Sequence, residues 1–98
     1  MATTIQVRNA IRSAARALSV ELPQTTYTDA PRHETHKSFR YVCFPMRSTS
    51  AARKVAQEAN FLLFAMTGET NVVRVSQTAR QGWRNTGRPY IRANAIIG

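Results

Sequence analysis

Between Pro45 and Gly68 the apolar residues change period, and that change settles the class of fold this chain can adopt. Before it, residues 38–46 are rich in aromatic and β-preferring side chains, with Arg40, Val42, Phe44 and Met46 on one face and Phe39, Tyr41, Cys43 and Pro45 on the other. Both faces are mostly apolar, so this strand belongs in the middle of its sheet. Within the central stretch Ala52, Val55, Ala56, Ala59, Leu62, Leu63 and Met66 hold helical spacing. Ser48-Thr49-Ser50 supplies N-cap residues, and Gly68 stands where a C-cap glycine belongs. After it, alternation returns: Val73 and Val75 against Arg74 and Ser76, then Ile91, Ala93, Ala95 and Ile97 against Tyr90, Arg92 and Asn94. A helix flanked by strands must share one core with them.

The N-terminal part adds a second helix. Across 3–19, Val7, Ala10, Ile11, Ala14, Ala15 and Leu18 form an apolar stripe, and Thr3 with Gln6 has capping-box spacing. An alternative start is open: Thr4-Ile5-Gln6-Val7 as a short strand, with the helix beginning at Asn9. Residues 20–37, with Pro23 and Pro31, read as a connection containing a short edge strand near 25–28. A chain of 98 residues closes one core, so 1–98 is expected to be a single α+β domain. Its sheet has three or four mostly antiparallel strands, with two helices packed on one face and a long basic β-hairpin at the end. With the strand-first start the order is βαβαββ, which resembles the Alba chromatin proteins and the C-terminal domain of bacterial translation initiation factor three, both nucleic-acid binders. That resemblance is one of element order across the whole chain. Where Alba-like proteins carry a glycine-lysine stretch before the first helix this chain has Val7-Arg8-Asn9, and no residue is carried over from either family.

Charge is the second constraint. There are 14 basic residues against 5 acidic ones, a net charge of +9. Only Lys37 and Lys54 are lysines; the rest are arginines, whose guanidinium forks bind phosphate oxygens in pairs and stack on bases. Residues 70–98 carry Arg74, Arg80, Arg84, Arg88 and Arg92 with Glu and Asp both absent, and Trp83 sits among glycines in the loop of the expected hairpin. The outward set of that hairpin, Arg74, Ser76, Thr78, Arg80, Tyr90, Arg92 and Asn94, is dominated by hydrogen-bond donors. On the first helix Arg8, Arg12 and Arg16 recur every four residues, a row about 12 Å long. Phe39 and Tyr41 are either core residues or, if Val42, Phe44 and Met46 face the helices, lie beside the outward hairpin residues, where aromatics among arginines suit base stacking.

These features point to a small, non-enzymatic protein that contacts the nucleic-acid backbone without reading sequence, through Arg74, Arg80, Trp83, Arg84, Arg88, Tyr90 and Arg92 of the hairpin and Arg8, Arg12 and Arg16 of the helix, gathered on one continuous side of the molecule. DNA and RNA both remain open as the ligand. The competing reading is a viral or accessory protein-interaction module, an inhibitor or particle subunit whose arginines grip an acidic partner protein. Catalysis is disfavoured because Glu21, Asp29, Glu34, Glu58 and Glu69 are scattered. His33 and His36 lack a third ligand at metal-site spacing, so neither metal nor cofactor is expected. Cys43, the single cysteine, is expected as a buried thiol in a reducing compartment. With no basic-then-apolar leader at Met1 and no apolar run long enough for a bilayer, the expected location is the cytoplasm of the cell or a host, away from membranes. Phe61, Phe64 and the apolar Ala95-Ile96-Ile97 end suggest a homodimer.

Overall fold

The computed structural model describes residues 2–22, 27–29, 39–76, 80–81, 84–85 and 89–96, with side chains at 2–22, 42–76 and 89–96. Helix α1 spans Thr4–Ala17 and begins in the capping box its sequence announces. The Gln6 amide donates to Thr3 Oγ1 at 3.1 Å, and the Thr3 amide donates to Gln6 Oε1 at 3.0 Å. That box is why the strand-first start does not form: extended structure before α1 is reduced to a single parallel bridge between Thr3 and Ile96. Thr3→Ala removes one of the two reciprocal bonds and is expected to cost about 1 kcal/mol in urea unfolding. At the other end Ser19 turns into the left-handed region at φ 57°, and the Val20 amide donates to the Ala15 carbonyl at 2.8 Å. The helix therefore stops before Leu18, which is 39% exposed as the C-cap residue and not part of the core.

Helix α2 spans Thr49–Thr67 between the expected caps. Ser48 Oγ accepts from the Ala51 amide at 3.1 Å, and Gly68 takes the left-handed C-cap at φ 76° while its amide donates to the Phe64 carbonyl at 2.8 Å. A side chain here would be strained by that φ, which is the physical reason for glycine.

The strands are β1 (Tyr27–Asp29), β2 (Phe39–Pro45), β3 (Val73–Ser76), β4 (Arg80–Gln81), β5 (Arg84–Asn85) and β6 (Tyr90–Ile96). β2, β6 and β3 form an antiparallel sheet with β6 in the middle of the three, and the short β1 lies along the outer edge of β2. The connection between β3 and β6 holds the separate two-stranded ribbon β4–β5. Since β2 and β3 both run antiparallel to β6, they are parallel to each other, and α2 is the crossover that joins them.

Both helices pack on one face of the sheet. Its inner residues Val42, Phe44, Val73, Ile91, Ala93 and Ala95 meet Val7, Ile11, Ala14 and Ala15 of α1 and Ala52, Val55, Ala59 and Leu63 of α2. The register explains the match: Val42 and Val73 both pair with Ala93, while Phe44 and Val75 both pair with Ile91. Small alanines in the middle strand leave room for the larger residues on either side.

Two expectations about the core are corrected. Met66 continues the α2 stripe in sequence but is 54% exposed, because the last turn of the helix runs past the packed face. Cys43 is half-buried rather than enclosed, since strand alternation puts it opposite Val42 and Phe44, on the face away from the helices.

Candidate nucleic-acid interface

The face of the sheet that the helices leave uncovered is built by the same register that builds the core. Cys43 pairs with Arg92, and Arg92 with Arg74, across β2, β6 and β3. One rung along, Pro45 pairs with Tyr90 and Tyr90 with Ser76. Asn94 and Ile96 continue the face along β6. Arg74 and Asn94 are exposed, while Arg92, Tyr90, Ser76, Cys43 and Pro45 are half-buried.

The Arg74–Arg92 rung has a defined geometry. The Val73 amide and carbonyl bond to the Asn60 side chain, so they point away from β6. Backbone groups alternate in direction along a strand, so Arg74 turns its own amide and carbonyl toward Arg92, the hydrogen-bonded kind of pair with Cα atoms about 5.5 Å apart. Two guanidinium side chains therefore leave one face from adjacent backbones. Like charges directly opposite each other in a sheet are destabilising by roughly 0.2–1 kcal/mol. By the register Asp29 of β1 shares this face, in line with Tyr41 and Asn94. Tyr90, two residues along β6, lies roughly 7 Å from Arg92 on the same face.

The expected site residues fall into three groups. Arg74, Tyr90 and Arg92 are brought together on the open sheet face. Arg8, Arg12 and Arg16 belong to α1, in the layer on the other side of the sheet; Arg12 and Arg16 are exposed and Arg8 is half-buried. The two basic sets thus occupy different layers instead of one continuous side. Arg80 and Arg84 lie in the ribbon, where Arg80 pairs with Asn85 and Gln81 with Arg84 along the backbone. Trp83 and Arg88 lie outside the described residues, as do the side chains of Phe39 and Tyr41 and the histidines His33 and His36.

Elsewhere Arg47 approaches Glu21 at 3.7 Å, an exposed and therefore weakly coupled pair. Among the described residues no group of three His, Cys, Asp or Glu side chains is placed to hold a metal, and no helix is long and apolar enough to cross a membrane. Sequence reasoning did not find the Arg74–Arg92 rung or the Asn60 clip. The first depends on the register of two strands joined by a long connection, and its only sequence signal is that both arginines alternate with inward residues. The second has a signal that was available: an asparagine inside an otherwise helix-favouring run is there for a reason other than propensity.

In comparisons with known proteins, no family model, no curated protein and no solved structure matches this chain.

Proposed function

We propose that this chain is a small, non-enzymatic nucleic-acid-binding protein acting in the cytoplasm of its cell or of a host, and that the open face of β2, β6 and β3 is its principal contact surface. The observation that carries this reading is the Arg74–Arg92 rung: two arginines paired across β3 and β6 on the face away from the helices, with Tyr90 two residues along. Guanidinium groups from both strands suit a phosphate, and Tyr90 offers a ring for a base two residues away. Arg80, Trp83, Arg84 and Arg88, between β3 and β6 in sequence, are proposed as further contacts. Arg12 and Arg16 on α1 then act as a separate, weaker anchor for a long ligand.

The test is fluorescence anisotropy of labelled single- and double-stranded DNA and RNA at several salt concentrations. Binding is expected to weaken with salt, with a slope of about 0.7–0.9 per phosphate contacted. Tyr90→Ala is expected to weaken single-strand binding roughly tenfold, while duplex binding changes less. Absence of salt-dependent binding to all four ligands overturns the proposal. Partners captured equally well after nuclease treatment would instead favour an acidic protein as the ligand.

A further inference from the structure

Among the described residues the most exposed large apolar side chains lie at one end of the helical layer, with the less exposed Leu18 at the other. Phe61 is 68% exposed, Phe64 and Met66 54%, and Ile5 55%. α1 begins at the Ile96 end of the sheet and finishes where Glu21 meets Arg47, the residue before the α2 cap. The helices are therefore antiparallel, and the start of α1 shares an end with the finish of α2. On α2 the exposed residues Lys54, Gln57, Phe61 and Phe64 follow at intervals of three, four and three, a narrow stripe on the side away from the core. A single copy leaves this stripe in water.

The charges of α2 run against its own dipole. Arg53 and Lys54 stand near its N-terminus, which has no acidic residue in the first turn, and no basic residue occupies the last turn. Both ends are thus disfavoured, since helix N-termini prefer anions and C-termini cations. From Val55 to Val73 there is no Lys or Arg, while Glu58 and Glu69 are present. On a chain of net charge +9 this is a segment where a second positive molecule can approach without meeting like charge.

We infer that the α2 stripe is the contact between two copies of this chain, with the two α2 helices antiparallel across a twofold axis. Centred between positions 61 and 64, that arrangement sets Phe61 of each copy against Phe64 of the other. It also brings Lys54 of each copy to the C-terminal end of the other α2, near Glu69, and so supplies the cation that end lacks. Phe61 and Phe64 offer roughly 200–250 Å² of exposed apolar surface, and Ile5 and Ala65 raise this to roughly 350 Å² per copy. With the polar rim the pair reaches about 1,200 Å² in total, the lower bound for a specific interface. The occupant favoured here is a second copy and not nucleic acid, because the exposed phenylalanines lie in a stretch that has Glu58 and Glu69 but no Lys or Arg. It also leaves both open sheet faces pointing outward.

The experiment is sedimentation equilibrium of nuclease-treated protein over a hundredfold concentration range, so that bound nucleic acid cannot bridge two copies. Wild type is expected to dimerise. Phe61→Glu and Phe64→Glu are each expected to raise the dissociation constant at least tenfold, with the far-UV circular dichroism of wild type because both sites are exposed. Lys54→Glu is expected to weaken the dimer less, and less still in high salt. A wild type that is monomeric throughout overturns the inference. A dimer unaffected by both phenylalanine substitutions overturns it equally, since the contact then lies elsewhere.

Discussion

Asn60→Ala will lower the free energy of unfolding by about 2–4 kcal/mol, although it removes only one half-buried side chain. Asn60 Nδ2 donates to the Val73 carbonyl at 2.9 Å, and its Oδ1 accepts from the Val73 amide at 2.7 Å. β3 is an outer strand of the sheet, so among the described strands none lies beside these backbone groups. The carboxamide takes the place of that strand, with a donor and an acceptor at one residue. Alanine leaves both groups beside a buried Val73, and each unsatisfied backbone group costs about 1–3 kcal/mol where water reaches it poorly. Asn60→Asp is a second check: it keeps the acceptor but sets an oxygen against the Val73 carbonyl, so it should also destabilise. Urea unfolding gives the magnitude, and faster hydrogen exchange at the Val73 amide gives the location. A loss below about 0.5 kcal/mol would mean that water satisfies this edge as well as the side chain does.

The α+β architecture was legible because its signals are local. Thr3 and Gln6 define the start of α1 by themselves, and Ser48 and Gly68 define both ends of α2. The dense apolar character of 38–46 announced a strand with neighbours on both sides, and β2 pairs with both β1 and β6. Errors arose where an answer depends on what lies far away in sequence. Met66 keeps the period of a core residue but falls beyond the packed face, and Cys43 is of a residue type usually enclosed but sits on the wrong parity of its strand. Periodicity states which side of an element a residue is on. It does not state where the neighbouring element ends.

The arrangement of positive charge was the least legible property. Counting arginines along the chain suggested a single surface joining α1 to the last strands. The layers separate them: Arg12 and Arg16 leave the outer side of a helix packed on one face of the sheet, whereas Arg74 and Arg92 leave the other face. A ligand bound at both places must pass around an edge of the sheet, so a short oligonucleotide should engage one set and a longer one both.

Arg74→Ala with Arg92→Ala is expected to weaken binding of a short oligonucleotide on the order of a hundredfold at low salt, and to reduce the salt slope by about 1.4–1.8, two phosphate contacts' worth. Arg12→Ala with Arg16→Ala should leave the short ligand nearly unaffected and weaken only a longer one. Stability supplies an independent sign. Arg74 is the exposed member of a like-charged rung, so Arg74→Ala alone should leave the unfolding free energy unchanged or raise it by up to about 1 kcal/mol. Loss of binding together with equal or greater stability is what a functional arginine pair produces. A structural pair would give the reverse, a less stable protein with its salt slope intact, and that outcome would remove the open sheet face as the contact surface.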